Sequence, residues 1–296
     1  MPERALDLTR KAASVFGERG FENPRLEAEL LLAGVLGVKR LDLYLQHERP
    51  VAADELERYR DYVRRRLRRE PLQYILGTAA FRTLDLAVDP RVLIPRPETE
   101  VLVGEVLAWA ARCGRHGAAL DVGTGSGAIA LSLAAEGSFA GVIASDVSPA
   151  ALDVARANAA RNGLEGRVEF REGSSLDVVR PGERFTVIVS NPPYVADGER
   201  GLLPPEVRDH EPSAALFAGP DGLAVIADLV RQAPPALEGG GLLALEVGVG
   251  QADAVLSLME AGGFAGVRIV PDLTGRLRVV LGERAEKKQQ EREKAG

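Results

Sequence analysis

Short runs rich in branched aliphatic residues alternate with helix-forming stretches from about residue 99 onward, and few folds accommodate a chain written this way. The runs are Ala119-Leu120-Asp121-Val122, Gly141-Val142-Ile143-Ala144-Ser145, Val168-Glu169-Phe170, Phe185-Thr186-Val187-Ile188-Val189, Gly241 to Val247, and Val267 to Val270. A helix between two strands returns the chain so that both strands point the same way. The pattern therefore predicts an α/β architecture, a doubly wound, mainly parallel sheet with helices on both faces.

Upstream the periodicity is different. Residues 1 to about 70 read as helices only: Asn23-Pro24 sits where an N-cap and first helical residue belong, and Leu26, Leu30, Leu31 and Ala33 follow at helical spacing until Gly34 and Gly37 weaken the pattern. A later stretch puts Leu56, Tyr59, Val63 and Leu67 on one face, with Arg64, Arg65, Arg66, Arg68 and Arg69 around it. That arginine run is either a solvated helix face or a docking surface for an acidic partner. Between about 71 and 98, Phe81 to Val88 and Val92-Leu93-Ile94 alternate, punctuated by Gly77, Pro90, Pro95 and Pro97, which predicts a β-hairpin between two domains. The expected organisation is a helical domain over 1–76, a hairpin linker over 77–98, a sheet domain over 99–283, and a charged, aromatic-free, disordered tail over 284–296.

Composition narrows the chemistry. Hydrophobic residues at 46% and charged residues at 27% are those of a soluble globular protein, and no apolar run approaches the roughly 18 residues of a membrane span. The N-terminus lacks the apolar core of a secretory signal, so a cytoplasmic location is expected. A single cysteine, Cys113, and three scattered histidines, His47, His116 and His210, offer no metal-ligand cluster, so no metal is assigned. Cys113 and the single Trp109 are read as packing residues. A formal net charge of −6 argues against a partner gripped mainly through phosphates.

After the first strand comes Asp121-Val122-Gly123-Thr124-Gly125-Ser126-Gly127-Ala128, and a helix of Ile129, Ala130, Leu131 and Leu133 starts at once. Small residues let the backbone turn tightly and a cofactor approach closely, with unpaired N–H groups at the helix start. Gly123, Gly125 and Ala128 also satisfy G-x-G-x-x-G/A, so a nicotinamide or flavin enzyme stays open at this point. The next strand ends in Asp146, roughly 20 residues on, where a carboxylate can accept from both ribose hydroxyls of an adenosine cofactor. The alternative for Asp146 is a turn or capping residue before Ser148-Pro149.

The fourth run passes directly into Asn191-Pro192-Pro193-Tyr194. Two prolines stop a strand and make a rigid exit, but the place, at the carboxyl end of a strand in such a sheet, is where ligands bind. A planar –NH₂ group is a poor nucleophile because its lone pair is delocalised. The Asn191 side-chain oxygen and the Pro192 carbonyl could each accept one N–H, aiming the lone pair at a leaving sulfonium, while Tyr194 covers the planar group. Hydride transfer has no evident use for this arrangement.

On these residues the chain resembles class I methyltransferases, and more narrowly the glutamine methyltransferases of peptide chain release factors (PrmC/HemK family). The resemblance runs from about residue 5 to 282. It includes Arg25 to Leu32, Pro71 to Gly77, Leu93-Ile94-Pro95-Arg96-Pro97-Glu98-Thr99-Glu100, Asn191 to Tyr194, Pro205-Glu206-Val207-Arg208, Glu211-Pro212, Gly219 to Leu223, and Asp272-Leu273-Thr274-Gly275-Arg276. It implies a Rossmann-like catalytic domain, an N-terminal helical bundle that docks a class I release factor, and methylation of the glutamine in that factor's Gly-Gly-Gln loop. The methyl donor implied is S-adenosyl-L-methionine, leaving S-adenosyl-L-homocysteine. Carried over, the substrate clamp falls on Asn191, Pro192, Pro193 and Tyr194. The cofactor set falls on Asp121, Gly123, Thr124, Gly125, Ser126, Gly127, Asp146, Val147, Ser175 and Asn191. Where family members often have an acid and then a large apolar residue beside the adenine, this chain has Ser174-Ser175. Arg96, Glu98 and Thr99 either border the cofactor or, for Thr99, cap a helix. A monomer with no direct need of nucleic acid or membrane is expected. Three other readings are a methyltransferase for nucleobase amines, an interaction protein with a vestigial catalytic domain, and a dinucleotide oxidoreductase. The first shares the clamp and lacks support in the net charge.

Overall fold

The computed structural model describes residues 4–46 and 49–285. The chain divides into two compact units, one comprising residues 1–78 with 204–210 and the other 79–203 with 211–296.

The first unit is helical: α1 (Ala5–Glu18), α2 (Pro24–Leu36), α3 (Asp42–Leu45), α4 (Ala53–Leu67) and α5 (Leu72–Leu76). Pro24 opens α2 at its first turn, and Gly37, left-handed at φ 65°, closes it. Gly34 does not end the helix. A Cβ there would lie 2.5 Å from Leu76 Cδ2, so the glycine gives α5 room to pack. Phe16, Leu31, Leu32, Leu43, Tyr59 and Ile75 form the core.

The arginines of α4 and its exit do not share one environment, so the run as a whole is not a solvated face. Arg64 and Arg68 face solvent, and Arg65 makes paired hydrogen bonds to Glu70. Arg66 is only 6% exposed. Its guanidinium lies 4.4 Å from the Phe21 ring centre and donates to Glu27, the Glu70 carbonyl and Glu206. Arg69 stacks on the same ring and reaches Glu206 and the Arg19 carbonyl. Glu206 belongs to a short helix far along the chain, Pro205–His210, which is counted with this unit.

The second unit contains the hairpin β1 (Thr78–Phe81) and β2 (Leu84–Ala87), all but Thr78 inside it, then α6 (Pro97–Cys113), β3 (Ala118–Val122), α7 (Ala128–Glu136), β4 (Gly141–Asp146), α8 (Pro149–Arg161), β5 (Val168–Glu172) and β6 (Phe185–Ser190). The short helix at Pro205–His210 counts as α9. After it come α10 (Ala224–Ala236), β7 (Leu237–Glu246), α11 (Ala252–Ala261), β8 (Phe264–Pro271) and β9 (Leu277–Arg284). The seven-stranded sheet has the order β5-β4-β3-β6-β7-β9-β8. Strands β3 to β7 are parallel, and β9 runs antiparallel to both β7 and β8. The doubly wound, mainly parallel α/β architecture read from the sequence is the one observed.

Alternate strand residues serve opposite faces. Ala119, Val187, Val189, Leu242 and Ala244 join α6 and α7 residues such as Leu102, Val106, Trp109 and Leu131 in one core. Leu120, Ile188, Leu243 and Leu245 join Ile226, Leu229, Val255 and Met259 of α10 and α11 in the other.

Three details differ from the sequence reading. The hairpin turns at Arg82, which has φ 50°, and Val92-Leu93-Ile94 form no strand because Pro90 and Pro95 remove donors around them. Strand β9 was not anticipated, and it takes in Arg284, leaving all of the expected tail but Arg284 and Ala285 outside the described residues. Trp109 is buried and donates to Glu283, whereas Cys113 ends α6 exposed. No helix among the described residues is long and apolar enough to cross a membrane.

Replacing Arg66 with alanine removes the cation shared by the Glu27 and Glu206 carboxylates, 17% and 21% exposed, and leaves Glu206 with Arg69. A loss of about 2–4 kcal/mol is expected, at or below the 3–5 of fully buried pairs because both acids keep some access to water. Urea denaturation measures it, and limited proteolysis should show faster cutting within 204–210. Unchanged midpoint and cutting would mean that Arg66 does not hold this segment.

Candidate active site

In the sheet, β3 is the point from which the strand order runs outward in both directions, through β4 to β5 and through β6 to β7. The carboxyl ends of strands at such a point open into a crevice. Here that crevice is a cavity of about 440 Å³ whose wall includes Gly123, Gly125, Asp146, Val147, Ser174, Ser175, Asn191, Pro192 and Pro193. A volume of this size suits a drug-sized ligand.

The loop after β3 is shaped by its glycines. Gly123, Gly125 and Gly127 have φ of 75°, 54° and 85°, a region that residues with a Cβ avoid. At Gly123 and Gly125 a Cβ would meet nothing within 4 Å, so it is the backbone conformation that demands glycine there. The Gly123 and Thr124 amides donate to the Ser145 carbonyl at 2.9 and 2.8 Å, folding the loop back over β4. Asp146 then grips it from the cavity side: Oδ2 accepts from the Gly125 amide at 2.9 Å and Oδ1 from the Ser148 amide at 2.9 Å. A carboxylate offers about four acceptor sites, so acceptor capacity remains for ligand hydroxyls.

Asp121 lies beneath the same loop and off the cavity wall. It is fully buried, and Oδ2 accepts from the Thr124 hydroxyl at 2.6 Å and the Ala130 amide at 3.0 Å, while Oδ1 has no partner. Burial pushes its carboxyl up to about 7, against those two hydrogen bonds. Thr124, Ser126 and Gly127 are likewise behind the wall. They build the loop from within.

Asn191 follows β6 directly. Its side-chain nitrogen donates to Thr99 Oγ1 at 3.0 Å, and Thr99 in turn donates to Glu246 Oε2 at 2.6 Å. Glu246 ends β7 with no exposed surface. Its other oxygen accepts from the Tyr194 hydroxyl at 3.3 Å, and Arg278 lies 3.5 Å away. Burial pushes the Glu246 carboxyl up, opposed first by the Thr99 hydrogen bond and then by Arg278.

Tyr194 is not on the cavity wall. Its hydroxyl is turned to Glu246 and Arg278, the latter donating at 2.9 Å, and burial pushes it up to about 12. It stays protonated and cannot act as a base near neutrality. The Tyr194 carbonyl accepts from Gln251 Nε2 at 2.9 Å, fastening the end of the four-residue motif to the entrance of α11. Thr99 sits in the first turn of α6, where its hydroxyl points to Glu246 and does not cap the helix.

Glu246 and Arg278 were missed in the sequence, although an acid inside Leu242-Leu243-Ala244-Leu245-Glu246-Val247 is itself a signal, since a buried carboxylate must have partners. The cavity wall also takes Arg91, Val92 and Leu93 from the linker and Asp228 from α10. Asp228 accepts from Gln232, which also reaches Ser175 Oγ.

Folds of this topology recur among solved methyltransferases. One from Pyrococcus furiosus superposes with a TM-score of 0.51 at 20% identity, covering 68% of this chain and 89% of its own. The hMettl16 catalytic domain, solved in complex with MAT2A 3'UTR hairpin 1, gives 0.57 at 14% identity, covering 80% and 83%. The second unit thus has the fold of a class I methyltransferase. Sequence comparison is more specific: residues 7–77 match the PrmC N-terminal domain and residues 99–202 the methyltransferase small domain. Release factor glutamine methyltransferases from Geobacter sulfurreducens, Koribacter versatilis and Deinococcus radiodurans are 44%, 45% and 43% identical, covering 94%, 88% and 94% of this chain and 95%, 92% and 98% of their own. The chain belongs to the release factor glutamine methyltransferase family.

The family implies S-adenosylmethionine, and the site is compatible with it: a backbone loop that exposes two glycines on the wall, and an acid at the next strand's end with acceptor capacity to spare.

The raised Asp121 carboxyl has a consequence for stability. Because its folded value exceeds the unfolded one near 3.8, the group favours folding fully below that value, and the contribution is lost as pH rises towards about 7. Asp121→Asn carries no charge to bury. Its stability relative to the wild type should therefore improve by about 2–4 kcal/mol between pH 4 and pH 8, followed by chemical denaturation at several pH values. A difference independent of pH would show that Asp121 does not titrate in this range.

Proposed function

We propose that this protein transfers the methyl group of S-adenosylmethionine to the side-chain amide nitrogen of the glutamine in the Gly-Gly-Gln loop of class I release factors. The observation that carries the reading is that Asn191, Pro192 and Pro193 share one cavity wall with Gly123, Gly125 and Asp146, in a chain of this family. Asp146 would accept from the ribose hydroxyls, and Gly123, Gly125, Val147 and Ser175, which line the same cavity, would border the cofactor. When bound, S-adenosylmethionine supplies a methyl group on a positively charged sulfur that departs with the bonding pair.

The residues of this chain do the orienting. Asn191 Oδ1 and the Pro192 carbonyl each accept one hydrogen of the substrate –NH₂, which fixes its plane and presents the nitrogen lone pair in line with the methyl group. The product nitrogen sheds one proton to water. No side chain at the clamp is a base for it, since Tyr194 is held protonated. The helical unit docks the release factor, and the enzyme works as a cytoplasmic monomer without nucleic acid.

Asn191→Ala should lower methyl transfer by at least about a hundredfold, the scale of a lost transition-state contact, with cofactor affinity changed little. Asp146→Ala should weaken cofactor binding by about 1.5–3 kcal/mol by calorimetry, with added disorder at Gly125, whose amide it holds. Incubation with labelled S-adenosylmethionine and a release factor, the same factor with its loop glutamine replaced, or nucleic acid tests the reaction itself. Label on nucleic acid alone, or on the glutamine-less factor, would reject the proposal.

A further inference from the structure

Building on the reading of Asn191 as the substrate clamp, we infer that Glu246, acting through Thr99, is a positioning device that fixes which way round the Asn191 carboxamide sits. The argument is a count of hydrogens. Thr99 Oγ1 lies 2.6 Å from Glu246 Oε2 and 3.0 Å from Asn191 Nδ2, and a hydroxyl owns one hydrogen. The Thr99 hydroxyl donates to Glu246, so its one hydrogen is committed there. What remains on Oγ1 towards Asn191 is lone pairs, and only the –NH₂ end of the carboxamide can meet them.

Asn191 Oδ1 is therefore turned away from Thr99 and is not hydrogen-bonded within the described residues, on a side chain that lines the cavity. A carboxamide is nearly symmetric in shape, so packing alone separates its two orientations poorly. Reversed, it would present N–H to the N–H of an amide substrate. The relay thus makes the clamp an acceptor and selects –NH₂ substrates over groups that lack two hydrogens to give.

The rest of the cluster holds Glu246 in place. Arg278 from β9 lies 3.5 Å away, and Tyr194 donates to Oε1, so each carboxylate oxygen has a donor of its own. The three anchoring residues sit on α6, β9 and the motif itself. None of them is itself part of the cavity wall.

Thr99→Val keeps the shape and removes the acceptor, leaving Asn191 Nδ2 better served by turning towards the cavity. Turnover of release factor should fall about 10- to 100-fold, the penalty range for an unpaired donor, with S-adenosylmethionine affinity by calorimetry within about twofold of wild type. Glu246→Gln, which can donate to Thr99 and reverse the relay, should fall similarly, and Thr99→Ser should restore most of the rate. NMR of the Asn191 side-chain amide gives a readout that needs no turnover: the –NH₂ signals should be sharp and exchange-protected in the wild type and Thr99→Ser, and lose protection in Thr99→Val and Glu246→Gln.

Protection unchanged in Thr99→Val, or a rate unchanged while protection is lost, overturns the inference. So does Thr99→Ser being as impaired as Thr99→Val. A wild-type protein that leaves the release factor unmethylated counts against the proposed function instead, and the NMR comparison still decides the relay.

Discussion

A carboxylate with no exposed surface has to be surrounded by donors, and Glu246 draws them from three separate stretches of the chain. Thr99 comes from the start of α6, Tyr194 from the exit of β6, and Arg278 from β9. Leaving any one of them out would take a hydrogen-bond or ionic partner from a fully buried carboxyl group, at a cost of about 1–3 kcal/mol. The geometry of the crevice is thus enforced by electrostatics at one point, with the apolar sheet supplying only the platform. The antiparallel β9, paired with β7, delivers a guanidinium to the carboxyl end of a parallel strand.

The glycine loop is held by two other acids in contrasting surroundings. Asp121 is sealed beneath it with one oxygen unpartnered, and Asp146 grips Gly125 from the open side. A loop with three left-handed glycines has little stiffness of its own. Clamped on both sides, with the Gly123, Thr124 and Gly125 amides already bonded to Ser145 and Asp146, it becomes a fixed wall that does not have to reorganise when a ligand arrives.

What could be read from the sequence follows from the range of the interactions. The parallel sheet was legible because each strand–helix pair is local and repeats the alternation. So were the loop, Asp146 and Asn191 to Tyr194, whose members are neighbours along the chain or one strand away. The Thr99–Glu246–Arg278 cluster was not, since Thr99 and Glu246 are 147 positions apart and periodicity carries no pairing information. Strand β9 was missed because Leu277 to Leu281 follows a short hairpin with no helix before it, outside the alternation that announced the others. Tyr194 was legible as part of the motif, while its hydroxyl's direction was set by Arg278, which no local rule connects to it.

The arginines of α4 make the same point about surfaces. Amphipathic spacing left the run as either a solvated face or a docking surface for an acidic partner, yet Arg66 lies 6% exposed because Phe21 offers a ring face and Glu27 and Glu206 offer carboxylates. Guanidinium is the cation best able to accept such a site, being planar, weakly hydrated and able to stack and to fork its hydrogen bonds at once. A lysine would keep the charge and lose both the stacking and the simultaneous contacts to two acids. Because Glu206 is drawn in by Arg66 and Arg69, the chain leaves the sheet unit at Leu203 and re-enters it at Glu211. The helical unit is therefore completed by residues encoded after the substrate clamp, and residues 1–78 made alone would lack the acid that Arg66 and Arg69 share.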